Sequence, residues 1–220
     1  MLDRHLRPLI DPPLDRAASV LAQAGLGATT LTLVGLVLGL AAGAFAAFGL
    51  WGAALAAFVG SRLADGLDGP VARRSAPNGS PFGGHLDILA DFAAYAALPL
   101  GFVLHDPASN GSAGAALLAA FYVNAASFLG FAILAERRGE RTEVNGRKSF
   151  FHSAGLLEGT ETIAFMVLIC LAPHWFAPLS WAFAALCLLT VGLRTAEARR
   201  RDGSATAHRT GATVSSRSTQ

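Results

Sequence analysis

The chain has 220 residues, of which 53% are apolar and 15% charged, with a formal net charge of +2. That balance lies outside the soluble range and excludes an ordinary water-soluble globule, while the near-neutral charge leaves no footprint for a nucleic-acid partner. The length suits a single domain.

Residues 1–24 carry Arg4, Arg7 and Arg16, with Pro12-Pro13 before any long apolar run. A cleavable secretory signal would place its apolar stretch directly after the basic residues, so none is expected. Leu2, Leu6, Leu9 and Ile10 share one face at helical spacing. This predicts a short amphipathic helix at the membrane interface.

From residue 25 to residue 200 the chain reads as an all-α membrane domain. Stretches of roughly 20 apolar residues mark transmembrane helices. They fall at 31–48, 51–71, 82–104, 114–134, 156–171 and 176–193, which predicts six spans. In the first, Gly35, Gly39 and Gly43 recur every four residues, a small stripe that admits a neighbouring helix closely.

Charge sorts the connections. Arg4, Arg7, Arg16, Arg73, Arg74, Arg137, Arg138, Arg141, Arg147, Lys148, Arg194 and Arg199 to Arg201 all fall on one side. The turn at 49–50, the loop at 105–112 and the turn at 173–178 carry no Lys or Arg. The positive-inside rule then predicts both termini in the cytoplasm of a multi-pass inner-membrane protein. Residues 201–220 are rich in Ser, Thr, Arg and Gly and predict a disordered cytoplasmic tail. Cys170 and Cys187 both lie in apolar runs and read as buried thiols.

Against this background stand Asp65, Asp68, Asp87 and Asp91, all inside predicted spans. An aspartate near the bilayer centre costs roughly 2.5–3.5 kcal/mol on insertion scales. Asp65 and Asp68 are side by side on one helix face, and Asp87 and Asp91 stack on another. The short connection at 75–81 makes the second and third spans antiparallel neighbours, so both pairs can share one pocket under the cytoplasmic surface. Four convergent carboxylates form a hard, all-oxygen site suited to Mg²⁺, Mn²⁺ or Ca²⁺. Two ions in such a site would clamp a phosphate or pyrophosphate. Gly69, Ala72 and Gly83 leave bare backbone for a bulky ligand, and Arg73 supplies a permanent positive charge for a phosphate. Simple ion pairing with Arg62 or Arg73 is the competing reading, but four acids outnumber two arginines.

The run Asp65-x-x-Asp68-Gly69-x-x-Ala72-Arg73, nine residues, then Gly83-x-x-x-Asp87-x-x-x-Asp91 resembles the signature of the CDP-alcohol phosphotransferase (CDP-alcohol phosphatidyltransferase) family. Upstream, the stretch from Gly25 to Thr32 resembles the segment opening that family's first span, with Ala28-Thr29 where the family has Pro-Asn. The resemblance implies a phospholipid-synthesising enzyme that moves a substituted phosphate from a CDP-linked donor to an alcohol hydroxyl and releases CMP. It implies that Asp65, Asp68, Asp87 and Asp91 hold two Mg²⁺ or Mn²⁺ ions, and that Asp91 is also the general base. Gly69, Ala72, Arg73, Ser80 and Gly83 would then meet the CDP donor. CDP-diacylglycerol is the expected donor, with a soluble CDP-alcohol donating to diacylglycerol as the alternative, and a homodimer is implied.

Arg147 and Lys148 could hold an anionic acceptor, or simply anchor the chain among lipid head groups. Glu158 and Glu161 suit the start of a helix or the wall of an acceptor pocket, and Asn124 suits an interhelical hydrogen bond. A divalent-cation transporter is the rival reading, since intramembrane acids also mark ion pathways. No inverted repeat supports it, and the acids cluster near one surface. A lapsed family member serving as a lipid-binding scaffold is a third reading, opposed by the complete set of four acids.

Overall fold

The computed structural model describes the backbone of residues 3–75, 80–137, 157 and 159–215, and within these the side chains of residues 8–201. Arg147, Lys148 and Glu158 lie outside the described residues. The described chain is helical and contains no strand. Helix α1 spans Asp3–Gln23, α2 Ala28–Ala47, α3 Trp51–Ser75 and α4 Pro81–His105. Then come α5 at Pro107–Arg137, α6 at Gly159–Leu171, a 3₁₀ turn at Pro173–Trp175, and α7 at Phe176–Ser215.

Helices α2 to α7 stand on the six expected spans. Those at Ala28–Ala47, Pro81–His105, Pro107–Arg137 and Pro173–Arg201 are long and apolar enough to cross a bilayer, and the 13-residue α6 is a shorter apolar helix. Helix α3 has 25 residues, enough for a hydrocarbon core of about 30 Å, but carries the charged residues of the site. Large side chains such as Leu33, Val37, Leu40, Leu104, Leu188 and Leu189 are exposed. In water such a surface would aggregate; against lipid it is required.

Three boundaries differ from the sequence reading. Helix α1 passes through Pro8, Pro12 and Pro13 instead of stopping short. Proline holds φ at a helical value but lacks a donor and crowds the carbonyl four residues back; those carbonyls belong to Arg4 and to the exposed Pro8 and Leu9. The loop expected at 105–112 shrinks to Asp106, whose carboxylate accepts the Ser109 N–H at 3.0 Å and caps α5, with Pro107 as its first residue. Finally, α7 runs on to Ser215, so the expected disordered tail is helical that far. Extending an existing helix needs no new nucleus, and Ala205 and Ala207 favour it.

The chain forms two compact units, one of Met1–Leu118 with Glu158–Phe183 and one of Ala119–Leu157 with Ala184–Gln220. In the first, α2 packs along both α3 and α4, while α3 and α4 touch each other only sparingly. The two acid-bearing helices are thus joined through α2 more than directly. The glycine stripe explains this. Gly35 faces the Ser61 carbonyl and Ala64 of α3, Gly39 faces Ala94 of α4 and Ser61 of α3, and Gly43 faces Ala97 of α4. Gly101 of α4 lies against the Gly43 carbonyl in return. A Cβ at Gly39, Gly43 or Gly101 would collide with these neighbours, so small residues set the helix separation.

Helix α1 packs on α3, burying Ala18 with Leu31 and Val71. The exposed Arg74 guanidinium donates to the Asp15 carboxylate at 3.4 Å and to the Asp15 carbonyl at 3.1 Å. At the opposite end of α4, Phe102 stacks between Trp51 (4.7 Å) and Phe176 (4.6 Å). Both cysteines are free and buried. In the second unit, buried Arg194 of α7 donates to the Asn124 side-chain oxygen of α5 at 3.0 Å and to Ser127 at 3.3 Å. Asn124 is therefore an interhelical hydrogen-bonder, as its place in an apolar span suggested.

Candidate active site

Helix α3 carries Asp65 and Asp68 three residues apart, and α4 carries Asp87 and Asp91 four apart. Neither helix is broken across these positions, so each pair keeps one face. The structure brings Asp65, Asp87 and Asp91 together: one carboxylate oxygen from each lies within 4.8 Å of the others, and all three are half-buried. Asp68 is oriented differently. It is 6% exposed, and its Oδ2 accepts a 2.7 Å hydrogen bond from Thr32 Oγ1 of α2.

A cation already stands at this cluster. Arg62, one turn before Asp65, points its guanidinium across to α4. Nη1 donates to Asp91 Oδ1 at 2.7 Å and lies 3.8 Å from Asp65 Oδ2. Nη2 donates to Ser61 Oγ at 3.0 Å, and Ser61 in turn donates to the Gly35 carbonyl at 2.7 Å. The guanidinium lies 4.8 Å from the Tyr95 ring centroid and 5.8 Å from that of Phe58. Of the ion pairs the sequence suggests, Asp65 or Asp68 with Arg62 or Arg73, the Arg62–Asp65 contact is present, and the shorter one to Asp91 on α4 is a finding of the structure.

The residues expected to meet the donor lie toward the C-terminal end of α3 and at the N-terminal start of α4. Gly69 and Ala72 are half-buried, and the exposed Arg73 folds back so that its Nη1 would lie 3.5 Å from a Cβ at Gly69. Ser80 is the N-cap of α4, its Oγ accepting the Gly83 N–H at 3.1 Å. That hydrogen bond gives Ser80 and Gly83 a structural duty in starting the helix that bears Asp87 and Asp91.

A family comparison decides what this constellation belongs to: residues 26–193 match the model for CDP-alcohol phosphatidyltransferase. The chain belongs to the CDP-alcohol phosphatidyltransferase family. It is 46% identical over 194 residues to the inner membrane protein YnjF of Escherichia coli K12, spanning 88% of this chain and 93% of that protein. Its fold resembles that of the Mycobacterium tuberculosis phosphatidylinositol phosphate synthase PgsA1, solved with CDP-DAG bound. That likeness has a TM-score of 0.62 at 19% identity and covers 84% of this chain and 92% of the other. The protein is a membrane transferase of this family, and its acidic cluster sits inside the matched region.

Two members of this transferase's site escaped the sequence reading. Tyr95 lies four residues after Asp91, on the same face of α4, and that spacing was the available signal. Thr32 falls in the stretch opening the first span, where nothing local ties it to Asp68, 36 residues away.

Proposed function

We propose that this transferase moves the phosphatidyl group of CDP-diacylglycerol to the hydroxyl of an alcohol and releases CMP, using two Mg²⁺ or Mn²⁺ ions. The observation that carries this reading is the convergence of the Asp65, Asp87 and Asp91 oxygens within 4.8 Å. The donor set fits the ions: all oxygen, anionic, and half-buried, which suits Mg²⁺ or Mn²⁺ and disfavours zinc. Asp65, Asp68, Asp87 and Asp91 would hold them. When bound, divalent ions supply neutralising charge to the diphosphate and to the departing CMP.

The remaining work falls to side chains. Arg73 meets the donor's phosphate charge, and the bare backbone at Gly69 and Gly83 lets the nucleotide approach closely. Asp91 accepts the proton of the attacking hydroxyl as its oxygen bonds to phosphorus and the bond to CMP breaks. CDP-diacylglycerol as donor is supported by the folded likeness to a protein solved with CDP-DAG bound. The site opens to the cytoplasm of the inner membrane, an orientation supported by the one-sided Lys and Arg distribution. Membrane lipid surrounds the spans, and the working form is a homodimer.

The test is CMP release from purified protein with CDP-diacylglycerol, Mg²⁺ or Mn²⁺, and a panel of glycerol 3-phosphate, serine, inositol, inositol phosphate and a second phospholipid. One acceptor is expected to support metal-dependent release. Release only with a soluble CDP-alcohol and diacylglycerol would reverse the donor assignment. Divalent-ion flux through liposomes with no CMP under any pairing would favour a transporter.

A further inference from the structure

We infer that Arg62 is a permanent cationic member of the acidic site: it holds one oxygen of Asp91 in place and weakens the binding of divalent cations in the absence of donor. This rests on reading the aspartates as a divalent-cation site.

The observation is how the guanidinium is retained. A surface arginine pairing with an acid is held by that acid alone and leaves when a metal competes. Arg62 is 8% exposed and is held by groups outside the acidic cluster as well. Ser61 Oγ accepts from Nη2, and the Ser61 hydroxyl is itself fixed on the Gly35 carbonyl of α2. The rings of Tyr95 and Phe58 lie 4.8 and 5.8 Å from the guanidinium carbon. Its Nε is buried with no hydrogen-bond acceptor among the described residues. What the placement secures is the 2.7 Å contact of Nη1 with Asp91 Oδ1, and proximity to Asp65 Oδ2 at 3.8 Å.

Two consequences follow from charge and geometry. With Oδ1 committed to Arg62, Asp91 presents its other oxygen in a fixed direction, toward a cation or toward the attacking hydroxyl. A positive charge a few ångströms from a bound divalent cation also lowers its affinity, by about tenfold or more even with the full screening of bulk water, a dielectric of about 80. The diphosphate of the donor carries the negative charge that offsets this. The site therefore fills completely only when donor is present, and Arg62 acts as a positioning residue.

The decisive measurement is Mn²⁺ binding to the purified full-length protein without donor, read from the free-ion signal in electron paramagnetic resonance. Arg62→Gln should bind Mn²⁺ at least about tenfold more tightly than wild type. Arg62→Lys should stay within about threefold, since it keeps the charge, yet lose about tenfold in kcat at unchanged donor KM because its ammonium lacks the two-pronged grip. Unchanged or weaker Mn²⁺ binding in Arg62→Gln would overturn the inference while leaving the metal site intact. Failure of both wild type and Arg62→Gln to bind Mn²⁺, with donor as well as without it, would overturn both. If Arg62→Gln does not fold, a structure of the wild type with Mn²⁺ decides: Nη1 still on Asp91 supports the inference, and a guanidinium swung away refutes it.

Discussion

Thr32 of α2 donates its hydroxyl proton to the buried Asp68 of α3, Oγ1 to Oδ2, at 2.7 Å. The same hydroxyl lies 3.1 Å from the Ala28 carbonyl, but a carboxylate at shorter range is the stronger acceptor. This bond links the first span to the acid pair and fixes one oxygen of Asp68. Thr32→Val keeps the shape and removes the donor. It should lower stability by about 1.5–3 kcal/mol, the scale of a hydrogen bond to a charged group. It should also lower metal-dependent CMP release by about 10- to 100-fold, as loss of a ligand-orienting partner does. Thr32→Ser should restore most of both. Thermal unfolding beside the CMP assay checks this, and a fully active Thr32→Val would show that Asp68 needs no orientation.

The α2–α4 contact makes a second, purely steric prediction. A methyl at Gly101 would meet the Gly43 carbonyl and the Ala46 side chain, so the helices must separate. Gly101→Ala should cost about 1–3 kcal/mol, the usual scale of overpacking, and reduce activity because α4 carries Asp87 and Asp91. Gly52→Ala is the control, with nothing within 4 Å of the added carbon. It should leave the melting temperature unchanged or slightly higher, since alanine favours helix.

Much of this architecture is legible without coordinates because lipid imposes length and composition on each span, and the glycine spacing alone announces close helix contact. The four aspartates are legible for the same energetic reason: their presence in apolar helix demands an explanation. Less accessible was the division among them. Asp68 differs from Asp65 through a threonine on another helix, and one-dimensional spacing carries no record of that pairing. The short loop between α3 and α4 suggested direct neighbours, whereas α2 packs along both, since it is the helix with a small-residue stripe. Arg62 was visible as a possible partner of the acids, but its direction became readable only with Ser61, Phe58 and Tyr95 around it.

At the other end of the bundle, Asp106 links α4 to α5 as a cap. The Ser109 N–H bonded to its carboxylate holds its pKa below the ordinary aspartate value. A carboxylate depressed in the folded state contributes stability that is present above its unfolded pKa and lost as pH falls through the folded one. Asp106→Asn retains a capping oxygen without the charge. The wild type should therefore melt above Asp106→Asn at neutral pH, with the difference fading as the solution is acidified below about pH 4. Asp106→Ala should melt lower than both at neutral pH. A constant gap between wild type and Asp106→Asn across the acid range would mean that the charge plays no part in the cap.

The sharpest test of the chemistry separates the base from the ion site. Asp91→Asn conserves size but can neither accept the hydroxyl proton nor offer a full negative charge. CMP release should fall by about 10²- to 10⁴-fold, the range for loss of a general base, and Mn²⁺ binding should weaken as well. Asp87→Asn removes a ligand without touching the proposed base, so excess metal should recover part of its activity. No metal concentration should recover Asp91→Asn. Chelation of the wild type should abolish release, and added Mg²⁺ or Mn²⁺ should restore it where Zn²⁺ does not, because four carboxylates offer none of the nitrogen or sulfur that zinc prefers. Equal rescue of both variants by metal would assign Asp91 to ion binding alone and move the proton to another acceptor.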